Sequence, residues 1–113
     1  TMEEGMKKAA NNRALAESVY YILLCLHRPA HGYALMKDIA EMTDNRVRIG
    51  AGTLYGALDN LQKKKWIKQL DSDPRERKNE YIITDKGKEY FAMELARLEE
   101  LIKHAQDVRG EGK

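Results

Sequence analysis

The sequence predicts a small, mainly α-helical domain with a single β-hairpin and a long last helix. Three observations predict it. Apolar residues recur at helical spacing in four separate stretches, and β-favouring residues cluster only around one turn-rich basic segment. The last stretch carries an apolar seam of 3.5-residue spacing. At 113 residues the chain fits one compact domain with a modest core, extended by an element that needs a second copy to bury its face. No internal repeat is visible.

Residues 1–11 lack periodicity and read as a mobile arm. Asn11 or Asn12 is placed to cap a first helix running to about His27. Within it Leu15, Val19, Ile22 and Leu26 form one apolar stripe, and Ala16, Tyr20 and Leu23 form a second beside it. A face that wide needs more than one neighbour. The run Arg28-Pro29-Ala30-His31-Gly32 breaks the helix, because proline cannot continue it and glycine is permissive. A second helix follows from about Tyr33 to Met42, and Thr43-Asp44-Asn45 ends it with competing local side-chain bonds. Arg46 to Ile49 alternates polar and apolar residues, as a very short strand does.

The third helix, Ala51 to Lys65, is capped by Gly50 or Gly52. Leu54, Leu58 and Leu61 make its buried face, which leaves Asn60, Lys63 and Lys64 free to meet a partner. Trp66 to Leu70 and Glu80 to Thr84 favour strands. Trp66 at the helix-to-strand junction, and Tyr81 with Ile83 on one strand face, read as packing residues. Asp71 to Asn79 between the strands forms a turn with Arg75, Arg77 and Lys78 at its tip. Three helices, a short strand and a basic hairpin make a winged helix-turn-helix over residues 12–84. Thr84 caps a last helix over 85–108, stopped by Gly110 and followed by a short tail over 109–113. Phe91, Leu95, Leu98, Ile102 and Ala105 form its seam. At ~1.5 Å per residue this helix projects beyond a small core, so its economical partner is a second copy. Leu15 and Val19 of the broad first helix join the expected dimer interface.

Charge distribution adds a direction. Net charge is only +2, but residues 46–80 carry nine Lys/Arg against five Asp/Glu, whereas the flanking segments are nearly balanced. A local positive excess is what a phosphate-binding surface requires. The single cysteine, Cys25, excludes an internal disulfide and agrees with a reducing compartment. No apolar run reaches the ~20 residues of a membrane span, and no leader pattern is present, so a cytoplasmic protein is expected.

Four motifs then carry a resemblance. His31-Gly32-Tyr33-Ala34-Leu35, Gly52-Thr53-Leu54-Tyr55-Gly56-Ala57-Leu58, Leu61 to Ile67, and Tyr81-Ile82-Ile83-Thr84-Asp85-Lys86-Gly87 resemble, in order and spacing, the signatures of PadR-family transcriptional regulators. The single terminal helix is similar to that of the short subfamily. The family usually has proline at the position of Gly56, glycine at that of Lys65 and serine at that of Gly50.

The resemblance implies a homodimeric DNA-binding repressor. The third helix would lie in the major groove of a roughly palindromic operator, with Gly52 allowing close backbone approach and Thr53, Tyr55 and Asn60 near bases or phosphates. Tyr33 and Lys37 would sit beside the DNA backbone, Lys63 and Lys64 along the groove wall, and Arg75, Arg77 and Lys78 at phosphate or the minor groove. The resemblance also implies sensing of aromatic compounds, so a small aromatic or hydrophobic effector is expected; Tyr20, Leu23, Tyr90, Phe91, Met93 and Met6 are the residues available to line an apolar pocket for it, with filled core as the alternative.

Other chemistries are disfavoured. Cys25, His27 and His31 lie near one another in sequence, but Cys25 and His27 face different sides of a helix, and a closed metal site needs about four convergent ligands. Gly50-Ala51-Gly52 lacks the rest of a phosphate-loop fingerprint, and His104 has no acid-base neighbours. Neither catalysis nor a cofactor is expected. The alternative function is a winged-helix module that binds protein instead of DNA.

Overall fold

The computed structural model describes residues 14–70 and 79–110. The elements are α1 (Glu17–Cys25), β1 (Ala30–His31), α2 (Gly32–Met42), α3 (Ala51–Lys63), β2 (Ile67–Gln69), β3 (Glu80–Ile83) and α4 (Asp85–Arg109). The expected arm over 1–11, the caps Asn11 and Asn12, Met6, the wing-tip residues Arg75, Arg77 and Lys78, and the end of the tail lie outside the described residues.

The core is where the helical stripes meet. Ile22, Leu23 and Leu26 at α1, Leu35 and Ile39 of α2, and Leu54 and Leu58 of α3 have almost no exposed surface. Burying each such side chain contributes about 1.5–3 kcal/mol before ordering costs. Ile67, Tyr81 and Ile83 close the core from the sheet, as the alternation along β3 requires.

The three-stranded antiparallel sheet has the order β1-β3-β2. Ile67 pairs with Ile83, Gln69 with Tyr81, and Ala30 with Tyr81 across the other edge of β3. The strand expected at Arg46 to Ile49 is absent, and the third strand is formed instead by the segment read only as a helix breaker. Two interactions account for this. The Thr43 hydroxyl donates to the Ile39 carbonyl (2.8 Å) and accepts from the Val47 amide (3.0 Å), which curls 43–47 onto the end of α2. Asp44 and Asn45 take left-handed φ values of 52° and 64° there, which Asp and Asn tolerate better than most residues. Ala30 and His31 meanwhile pair with Tyr81 and Glu80 of β3.

Helix ends also moved. Ala14 to Ala16 is not helical and α1 begins only at Glu17, without a side-chain cap. The Leu15 amide donates instead to Glu94 of α4 at 3.0 Å. At its other end α1 stops at Cys25, two residues earlier than expected. α3 likewise ends at Lys63 rather than Lys65. Lys65 adopts φ 64°, its amide donates to the Gln62 carbonyl (2.9 Å), and the Trp66 amide donates to Leu61 (3.0 Å). This paired left-handed ending is the one that glycine usually serves.

α4 follows its expected caps. The Thr84 hydroxyl accepts from the Gly87 amide at 3.1 Å and donates to the Lys65 carbonyl at 2.6 Å, tying the helix start to the end of α3. Gly110 closes it at φ 78°. A side chain at Gly87 would collide with the Trp66 carbonyl and lie 2.7 Å from Ile83, so glycine there lets α4 press against the sheet.

Candidate nucleic-acid interface

α3 owes its place to its leucines. With Leu54, Leu58 and Leu61 turned inward, the residues between them are turned out, and Gly52, Thr53, Tyr55, Gly56, Asp59, Asn60, Lys63 and Lys64 are all exposed. A Cβ added at Gly50, Gly52 or Gly56 would meet nothing within 4 Å in this chain. Nothing inside the fold therefore demands glycine at these positions. No side chain caps the Gly50 end, so the first-turn amides face outward without a side-chain acceptor.

Tyr55 does two things at once. Its ring lies against the backbone of Gly32 at the start of α2, where an added Cβ would come within 2.8 Å of Cε1, yet it remains 47% exposed. The ring thus sets the spacing of α2 and α3 while keeping its other side available. Tyr33 is 49% exposed and its ring lies parallel to His31, 6.3 Å between centroids; Lys37 is exposed on the next turn of α2. Tyr33, Lys37 and the outer face of α3 all belong to the paired helices α2 and α3.

The charges on α3 differ from one another. Lys63 is 3.6 Å from Asp59 one turn back, an exposed pair worth little to stability. Lys64 has its ammonium 4.9 Å over the Trp66 ring and, among the described residues, no carboxylate partner. Arg48 is exposed just before α3; alternation had assigned it to a strand.

The expected interface residues of α4 divide along the helix. Phe91 is packed into the chain's own core, stacked on Tyr20 at 5.0 Å and edge-on to His27 at 4.9 Å. Leu98 is half-buried, whereas Leu95, Ile102 and Ala105 are exposed. Leu15, just before α1, and Val19 in its first turn are half-buried.

The expected effector lining divides too. Leu23 is fully buried and Met93 half-buried. Tyr90 stacks on Trp66 at 4.4 Å and lines a cavity of about 490 Å³ behind α3, while Tyr20 lines a separate cavity of about 330 Å³ beside Arg97 and Leu98.

Glu94 was not singled out in the sequence, although an arginine three residues on is a signal for it. It is a buried carboxylate that takes two bonds from Arg97, at 2.6 and 3.1 Å, and one from the Leu15 amide. The Arg97 bonds, with the Leu15 amide adding to them, hold its carboxyl below the usual carboxylate range against the opposing effect of burial. Burial, followed by the charge of Asp38, pushes the Cys25 thiol up, away from the reactive thiolate form. Among the described residues no group of three or more His, Cys, Asp or Glu is placed to hold a metal, and no helix is long and apolar enough to cross a membrane.

Comparison with known proteins agrees with this geometry. Over a 73-residue alignment taking in 62% of this chain, it is 36% identical to an uncharacterized 37.1 kDa protein in a Streptomyces fradiae transposon. That alignment takes in 20% of the relative, so the chain spans about a fifth of its length. A transcriptional regulator from Clostridium thermocellum is 26% identical, with a TM-score of 0.63 over 86% of this chain and 93% of that one. A PadR family transcriptional regulator from Eggerthella lenta has the same fold, with a TM-score of 0.70 at 23% identity over 95% of this chain and 91% of that one. Residues 21–93 match the model of the transcriptional regulator PadR-like family, and the chain belongs to that family.

Proposed function

We propose that the chain is a homodimeric, sequence-specific transcriptional repressor that places α3 in the major groove and is released by a small aromatic or hydrophobic effector. The observation that carries this reading is the outer face of α3. It is rich in glycine, hydroxyl, amide and ammonium groups, sits over a firmly buried leucine stripe, and carries glycines that no internal contact requires. Such a face can come within bonding distance of base edges while Lys37, Lys63 and Lys64 meet phosphates. Arg75, Arg77 and Lys78 would add phosphate or minor-groove contacts from the wing.

The dimer would form through Leu95, Leu98, Ile102 and Ala105, with Phe91 anchoring the base of α4. Two α3 helices would then meet successive major grooves of a roughly palindromic operator. The effector would enter the cavity behind α3 that Tyr90 lines.

A gel-shift titration against the DNA upstream of the chain's own gene, repeated across salt, tests the reading. The expected result is a specific complex that weakens steeply with salt. Neutralising Arg75, Arg77 and Lys78 should weaken binding to every sequence and make the salt slope shallower. Loss-free function in that triple variant would favour a protein-binding module instead.

A further inference from the structure

The cavity behind α3 has a chemical polarity of its own. One wall is Leu15, just before α1, and Val19 in its first turn, and the facing wall is Ala57 and Leu61 from the inward edge of α3. Its polar groups come from α3 as well, the Asn60 amide and the Lys64 ammonium. A volume of about 490 Å³ lies within the range of small-molecule sites, which combine an apolar wall with a few convergent polar groups.

The aromatic residues narrow the ligand. Trp66 lines the cavity with Tyr90 stacked on it at 4.4 Å and the Lys64 ammonium 4.9 Å over its ring. Two side chains already cover the indole, so it has little face to offer a planar guest. The remaining wall is methyl and methylene surface, which suits a flexible aliphatic chain. Lys64, lacking a carboxylate partner among the described residues, supplies the charge that an anion needs, whereas the neighbouring Lys63 is already matched by Asp59.

We infer that this cavity binds a medium-chain aliphatic carboxylate, its chain between α1 and α3 and its carboxylate at Lys64 and Asn60. This deepens the effector reading above and, for its consequence on transcription, rests on α3 being the DNA-reading helix. Asn60 and Lys64 belong both to the cavity and to the outer face of α3. A carboxylate there withdraws one ammonium and one amide from DNA and puts a negative charge near the phosphates. Ligand and operator therefore bind antagonistically, and by linkage each weakens the other by the same factor.

Octanoate is the probe, with octanamide as its uncharged counterpart and cinnamate as a planar acid of similar length. Trp66 is the only tryptophan, so its fluorescence reports on the cavity without DNA present. Octanoate should give a saturable change with an affinity about tenfold tighter than octanamide and tighter than cinnamate. Lys64→Gln should remove the preference for octanoate over octanamide while leaving octanamide binding unchanged. Ala57→Leu, which fills the cavity, should abolish both responses with an unchanged unfolding midpoint and unchanged operator binding. Octanoate should then displace operator from the wild type and not from Ala57→Leu.

Equal binding of octanoate and octanamide overturns the inference, as does the absence of any saturable response. An Ala57→Leu variant that alters sedimentation and leaves octanoate binding intact assigns the cavity to a second copy, and also overturns it. If octanoate binds as described while no operator complex forms, the site stands and the DNA reading falls. If the operator binds and octanoate does not, only the site falls.

Discussion

α3 and the second half of α4 are both helices with an outward face, and the two faces differ in kind. On α3 the apolar residues are used up inside, and what faces out is glycine, hydroxyl, amide and charge, with Tyr55 as the one large ring. On α4 every described residue from Glu99 onward is exposed, and Leu101, Ile102 and Val108 keep 50%, 56% and 89% of their surface open. A polar face over a filled core needs no partner for stability, so it is free to read one. An apolar face beyond the core gains from burial, which is why the dimer is assigned to α4 and the groove to α3.

The largest effect is expected at a glycine. Gly87→Ala, at the base of α4, forces a side chain into the Trp66 carbonyl and should cost about 3 kcal/mol or more in urea unfolding. Leu98→Glu should leave the fold and remove the dimer, seen as a halved mass in sedimentation. A wild type that sediments as a stable monomer would remove the role given to α4.

Glu94→Gln should cost about 1–3 kcal/mol near neutral pH, because it weakens the link from Arg97 to the Leu15 amide. The sign of its pH dependence follows from its lowered folded-state value. Its stabilisation is complete above the usual carboxylate range and is lost as pH falls through the lowered value. Wild type and Glu94→Gln should therefore converge in unfolding free energy at acid pH. Lys65→Gly should stabilise the chain by about 1 kcal/mol, since the left-handed ending of α3 suits glycine. The smallest effect on stability is expected from Gly56→Ala, a gain of about 0.5–1 kcal/mol from helix propensity in open space. The same change should weaken operator binding, which separates it from Gly87→Ala.

Much of this was legible in sequence. The leucine stripe of α3, the caps of α4 at Thr84 and Gly110, and the strand alternation of Tyr81 and Ile83 are local signals, and the fold obeys them. What was missed depends on contacts across the chain. Ala30 and His31 form a strand only because β3 is beside them, and the Leu15 amide before α1 is bonded to a carboxylate 79 residues away. The alternation at Arg46 to Ile49 was overruled by the Thr43 hydroxyl. At the candidate site, the exposed face of α3 followed from spacing, whereas the cavity behind it required knowing that Leu15, Ala57 and Tyr90 converge.

The most direct test of α3 as the reading helix is selection of duplexes from a random pool by the full chain, followed by titration of the winner and a scrambled duplex. The expected outcome is a two-fold symmetric motif with half-sites about one DNA turn apart. Gly56→Ala and Asn60→Ala should reduce affinity for the motif more than for the scrambled duplex. Equal affinity of the wild type for both duplexes, or a motif indifferent to changes on α3, would contradict it.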